Sequence, residues 1–147
     1  MEKWQYVQSI YQKLITKCPV GTLKNATVKP NNMLFPLKYY ITRFATSDHN
    51  DNGGNNGFRI CSQNYNTAIQ ATIVAGAKFL NFNTEQERYN AWQSYLTKFA
   101  RFCIAMDEST KLAPYMDDYT QPWTDERFKE YFELTDEEWK VIDETIK

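Results

Sequence analysis

Apolar side chains recur at three- and four-residue steps near the start of the chain, where Trp4, Val7, Ile10, Tyr11 and Leu14 fall on one stripe. That spacing predicts an amphipathic helix over residues 3 to 16, ended by Cys18-Pro19. No capping residue precedes Trp4, so the chain is expected to be the C-terminal part of a longer protein. From Val20 to Ser47 the pattern turns to β-branched and aromatic residues broken by Gly21, Pro30 and Pro36, with Tyr39, Tyr40, Ile41 and Phe44 as the best strand. Phe58 to Cys61 reads as a second strand, Ala68 to Val74 as a third and Ala77 to Phe82 as a fourth, with Gly76 turning between the last two.

A helical period then returns. Thr84-Glu85-Gln86-Glu87 has the form of a capping box, and Tyr89, Trp92, Leu96, Phe99, Cys103 and Met106 follow on one face, predicting one long helix over residues 84 to 106. Beyond Pro114 two short helices are expected. One opens at Thr124-Asp125-Glu126 with Phe128, Tyr131 and Phe132 on its apolar side; the other opens at a second capping box, Thr135 to Glu138, and buries Trp139, Ile142 and Ile146. The fold class is therefore α+β: a small β-sheet packed on one long helix, with a C-terminal helical hairpin. The hairpin should rest on the stripe of Trp92, Leu96, Phe99 and Cys103, with Lys98 and Arg101 at the edge facing Asp117, Asp118 or Glu126.

Length limits the chain to a single domain, 1–147, and 42% hydrophobic residues with 16% aromatics are enough to fold it. No stretch approaches the ~20 apolar residues of a membrane span, and the first residues lack a secretory signal, so a cytoplasmic protein with no membrane partner is expected. Charge adds a division that the pattern alone does not show. Residues 1 to 106 hold 12 Lys/Arg and 5 Asp/Glu, whereas residues 107 to 147 hold 5 and 13, although the whole chain carries only -1. A basic body, 1–106, thus precedes an acidic helical tail, 107–147, which either faces away from a polyanion or folds back and neutralises the body.

Catalytic scaffolds are missing. There is no G-x-S-x-G, no phosphate-binding G-x-x-x-x-G-K-[ST] and no G-x-G-x-x-G. Cys18, Cys61 and Cys103 are widely spaced and accompany a single histidine, a poor ligand set for zinc. That histidine, His49, lies in the segment from Ser47 to Gly57, whose three glycines and four asparagines read as a mobile loop. Glu138-Trp139-Lys140 supplies the Glu-x-Lys of metal-dependent nucleases, but residues two apart on a helix point about 200° apart and cannot converge on one ion. Glu138 and Lys140 are accordingly expected on a solvated face, with Trp139 in the core.

Four stretches carry a resemblance. Tyr95-Leu96-Thr97-Lys98-Phe99-Ala100-Arg101-Phe102 precedes Pro114-Tyr115-Met116-Asp117-Asp118-Tyr119, Pro122-Trp123-Thr124-Asp125-Glu126-Arg127-Phe128 and Tyr131-Phe132-Glu133-Leu134-Thr135-Asp136-Glu137-Glu138. Together they resemble the C-terminal region of a bacterial restriction-modification family, adenine-specific DNA methyltransferases or fused restriction endonucleases in which a target-recognition region follows the catalytic domain. The similarity covers about the last 65 residues. Relatives commonly have glycine where this chain has Glu133, and the segment between Met106 and Pro114 is shorter than usual. The resemblance implies a DNA target-recognition domain that reads duplex sequence for a catalytic domain of the same polypeptide. It also implies that S-adenosylmethionine belongs to the parent enzyme, with no cofactor in this chain. Consistent with that, the chain has no Asn/Asp-Pro-Pro-aromatic motif for a flipped adenine.

Sequence reading by such a domain uses Arg for guanine, Asn or Gln for adenine and Lys for phosphate. Lys38, Arg43, Arg59, Gln63, Asn64 and Lys78 lie on or beside the predicted strands and form the expected DNA-contact set; no catalytic or metal-binding residue is expected. The alternative, from a different class, is a protein-protein interaction or scaffold domain of the same system, with the asparagine loop and the acidic hairpin as its binding surface.

Overall fold

The computed structural model describes residues 2–18, 32–40, 60–73, 77–106 and 114–146. In chain order they form α1 (Lys3–Lys17), β1 (Phe35–Tyr40), α2 (Tyr65–Ala68), β2 (Ala77–Phe82), α3 (Glu85–Tyr95), α4 (Lys98–Met106), α5 (Asp125–Tyr131) and α6 (Asp136–Thr145). The α+β class stands: a two-stranded antiparallel ribbon packs on the helical layer, and one buried cluster runs from Ile10 and Leu14 of α1 to Val141 and Ile142 of α6.

The ribbon pairs Phe35 with Phe82, Leu37 with Leu80 and Tyr39 with Lys78 on one face. Leu37, Tyr39, Leu80 and Phe82 bury that face in the common core. β1 begins earlier than the sequence pattern indicates, at Phe35, and the expected strand residues Ile41 and Phe44 lie outside the described residues. Of the expected strand at Phe58 to Cys61, only Ile60 and Cys61 are described, and they are buried in bends rather than paired. The strand expected over Ala68 to Val74 is replaced at its start by α2. Asn64 accepts a hydrogen bond at 3.2 Å from the Thr67 N–H and so opens a helical turn, and residues 69–73 continue without ladder bonds.

The long helix is two helices. At its centre the backbone tightens, with the Leu96 N–H bonding the Gln93 carbonyl and the Thr97 N–H the Ser94 carbonyl. Thr97 then caps α4, its hydroxyl accepting from the Ala100 N–H at 3.2 Å. Asp125, from the start of α5, accepts from the Lys98 and Phe99 N–H groups at 3.3 and 2.9 Å. A carboxylate at a helix N-terminus satisfies orphan donors and complements the helix dipole, which makes the break at residues 96–97 a stable state of the chain.

The hairpin packs on Phe99 of the expected stripe and, through α6, on α1, whereas Trp92 turns to Tyr65 and the Ser62 carbonyl. Its ring lies 4.9 Å from Phe128 and 5.2 Å from Phe132, and Trp123 stacks on Phe128 at 5.2 Å. Lys98 pairs with Asp143 at 2.6 Å, not with Asp117, Asp118 or Glu126, because α4 runs beside α6. Trp139 is only partly buried, whereas Phe132 is fully so. Phe132→Ala should therefore cost about 3–5 kcal/mol of unfolding free energy and Trp139→Ala clearly less, as read by denaturant titration of the two variants.

Glu133 holds the corner of the hairpin in the left-handed region, with φ 52°. The Leu134 N–H bonds the Lys129 carbonyl at 2.9 Å and the Glu133 N–H bonds the Glu130 carbonyl at 3.2 Å, which together close α5 as a Schellman motif. Glycine suits that position because it has no Cβ to crowd the backbone. Here α1 supplies compensation: Lys17 pairs with the Glu133 carboxylate, and Lys13 donates to the Glu133 carbonyl at 2.9 Å. Glu133→Ala loses the ion pair and keeps the unfavourable φ, while Glu133→Gly loses only the ion pair. The glycine variant should melt roughly 3 °C above the alanine variant in a thermal scan, and equal values would mean that φ 52° carries no cost.

Candidate functional site

The predicted contact residues are only partly brought together. Lys38 sits opposite Phe79 on the second face of the ribbon and is 3% exposed, so it presents almost no surface to a ligand. Arg43, Arg59 and the loop from Ser47 to Gly57, with His49, lie outside the described residues. Gln63 and Asn64 are exposed at the corner leading into α2, although the Asn64 carbonyl oxygen is engaged in capping that helix. Lys78 is half-buried at the Tyr39 register, three positions, or about 10 Å, along the ribbon from Pro36.

Around Gln63 and Asn64 the structure assembles aromatics that the sequence pattern assigned to the core. The rings of Tyr65 and Tyr89 meet edge to face at 5.0 Å, Tyr65 and Trp92 meet at 5.0 Å, and Tyr89 lies 5.5 Å from Trp92. Tyr89 is 38% exposed. The corner itself is pinned. The Trp92 indole N–H donates to the Ser62 carbonyl at 2.7 Å, and the Ser62 hydroxyl accepts from the Asn64 N–H at 3.0 Å. Arg88 underpins the group from below, its guanidinium 5.4 Å from the Phe35 ring and 5.9 Å from the Tyr65 ring, donating to the Pro36 carbonyl at 3.4 Å and to the Tyr65 hydroxyl at 3.3 Å. Gln63, Asn66 and Gln70 then stand exposed beside a rigid aromatic face. Such a surface offers carboxamides for hydrogen bonding and ring faces for stacking. The 62–66 run Ser-Gln-Asn-Tyr-Asn, polar with one aromatic, was the sequence signal for it.

Glu138 is a correction. It was expected on a solvated face, yet it is 2% exposed. Its Oε1 accepts from the Lys13 ammonium at 2.6 Å and from the Thr135 N–H at 2.8 Å, and its other oxygen accepts from the Ser9 hydroxyl. Burial pushes the carboxyl pKa up, but the hydrogen bonds from Lys13, Ser9 and the Thr135 N–H outweigh it and hold the group below the ordinary glutamate value. Lys140 is exposed, as expected, and does not share this environment, so no Glu-x-Lys metal centre forms. Among the described residues no group of three His, Cys, Asp or Glu side chains is placed to hold a metal ion.

Six described cations, four of the body and two of the tail, are turned toward carboxylates. Lys13, Lys17 and Lys98 face Glu138, Glu133 and Asp143 of the tail, Arg127 and Lys129 face Asp118 and Asp136, and Arg88 faces Glu85. The acidic tail folds back on the body. Lys3, Lys78 and Lys140 have no ion-pair partner among the described residues. Compared with protein-family models, curated proteins and solved structures, the chain matches none.

Because the pKa of Glu138 is depressed on folding, its contribution is present above the ordinary glutamate range and is lost as pH falls through and below it. Glu138→Gln should destabilise the protein by about 2 kcal/mol at pH 7 and flatten the acid limb of the stability curve. Urea titrations from pH 7 to pH 3 check both, and an unchanged acid limb would remove Glu138 as its cause.

Proposed function

We propose that this chain is a DNA target-recognition module of a restriction-modification protein, reading duplex sequence for a catalytic domain outside these residues. The observation that carries the reading is the corner at α2. Exposed Gln63 and Asn66 stand beside the aromatic face of Tyr65, Tyr89 and Trp92 and are held by the Trp92–Ser62 hydrogen bond, so their carboxamides are presented from a fixed base. Adenine offers the matching pair of donor and acceptor in the major groove. The stretches that resemble the restriction-modification family supply the scaffold behind the corner, including buried Phe99, Trp123, Phe128 and Phe132. S-adenosylmethionine, in this reading, belongs to the catalytic domain. No helix among the described residues is long and apolar enough to cross a membrane, and we place the protein in the cytoplasm with the DNA it would read.

One observation favours the other class. Among the described residues six cations are turned toward carboxylates, which reduces the positive surface they offer to phosphate, as suits a module that binds protein. Fluorescence anisotropy over a duplex panel at two salt concentrations separates the readings. For a DNA reader, Lys78→Ala weakens all duplexes alike and lowers the salt slope by about 1, whereas Gln63→Ala narrows the preference among duplexes by ~1–3 kcal/mol. Affinity that is identical at both salts and across the panel sinks the DNA reading and leaves the interaction module.

A further inference from the structure

A cavity of about 250 Å³ opens between the end of β2, the first turn of α3 and the segment 115–119. Its floor is apolar and fixed, made by Phe82, Met116 and Tyr119, all buried. Tyr115 stacks on Tyr119 at 6.1 Å and forms one wall. Two carboxylates, Glu87 and Asp117, line it with Asn81 and Asn83, and among the described residues no cationic side chain does. Asp117 makes no hydrogen bond or ion pair among the described residues. The Tyr115 hydroxyl is pushed up by burial and, in addition, by the charge of Glu87, which lines the same cavity.

The chemistry of this lining selects its occupant. An anion has no partner there, and a phosphate would meet two carboxylates. A hard cation such as calcium wants six to eight oxygens. Here the Asn81 carbonyl oxygen is taken by the Phe35 N–H at 3.0 Å and Glu87 Oε1 by the Thr84 hydroxyl at 3.1 Å. A guanidinium fits each part: it is planar and weakly hydrated, it stacks on aromatic faces, and it presents several N–H donors to carboxylates. We propose that this cavity receives the side chain of an arginine on a partner polypeptide, stacked on Tyr115 and hydrogen-bonded by Glu87 and Asp117.

The test is a ¹⁵N chemical-shift titration of the 147-residue chain with N-acetyl-arginine-N-methylamide, which contains no nucleic acid and is therefore independent of whether the chain reads DNA. Saturable shifts confined to residues 81–87 and 115–119 are expected. The neutral isostere, the corresponding citrulline derivative, should bind at least tenfold more weakly, and Asp117→Asn, at an exposed position, should weaken arginine about tenfold with the rest of the spectrum unchanged. Citrulline binding as tightly as arginine, or no saturable shift at all, overturns the proposal. Calcium chloride alone producing the shifts would make the cavity a metal site, and agmatine binding more tightly than the peptide analogue would make it a site for a free small cation; either result also overturns it.

Discussion

A single buried carboxylate ties the two ends of this chain together. Glu138 caps its own helix through the Thr135 N–H and, with the same oxygen, holds Lys13 of α1, while its second oxygen takes the Ser9 hydroxyl. Removing a charge from water is costly unless its hydrogen-bonding capacity is met, and here it is met from both sides of the α1–α6 contact. Register between the helices is thereby fixed. Placing Lys13 on Glu138 brings Lys17 to Glu133 and the Tyr131 carbonyl one turn further on, and the hydroxyl of Tyr131 returns a hydrogen bond to the Lys17 carbonyl at 2.9 Å. The left-handed corner at Glu133 is tolerated within that clamp.

This clamp changes the meaning of the charge division along the sequence. Among the described residues the positive body and negative tail meet in three ion pairs, and that share of the charge stabilises the fold instead of forming an open field. Outside these pairs the described residues present a neutral surface of carboxamides and aromatic rings at α2, the cations Lys3, Lys78 and Lys140, and an acidic cavity near Tyr115. The corner and the cavity differ in what they can attract, although α3 contributes to both.

Local signals were legible and distant ones were not. The stripe of α1, both capping residues of the C-terminal hairpin and the strand from Ala77 to Phe82 depend on neighbours within a few positions, and each is formed. The start of α1 at residue 3 was legible, but its cap escaped because Gln5 reaches back to the Glu2 N–H at 2.8 Å, a cap built from residues that rank low as caps. Glu138 is buried, while Trp139 packs against the core only in part, because α6 turns its capping-box glutamate toward α1, an orientation set by Ser9 and Lys13 more than 120 residues away. At the α2 corner, Gln63 and Asn64 were readable as polar loop residues, but the aromatic support was not. Tyr89 and Trp92 satisfy a helical stripe whether that stripe meets a core or a neighbouring turn, and only the Ser62 carbonyl decides between them.

The division between α3 and α4 also bears on the order in which the molecule is made. A chain emerging from its N-terminus completes residues 85–106 before Asp125 exists, and during that interval only Thr97 opposes continuation of the α-helical ladder across the junction. The carboxylate that accepts the Lys98 and Phe99 N–H groups arrives with the tail, from 26 and 27 residues downstream. The cap of α4 is therefore complete only once the tail is docked, and the contact that seats Phe128 and Phe132 on Phe99 is the one that brings Asp125 to the junction between α3 and α4.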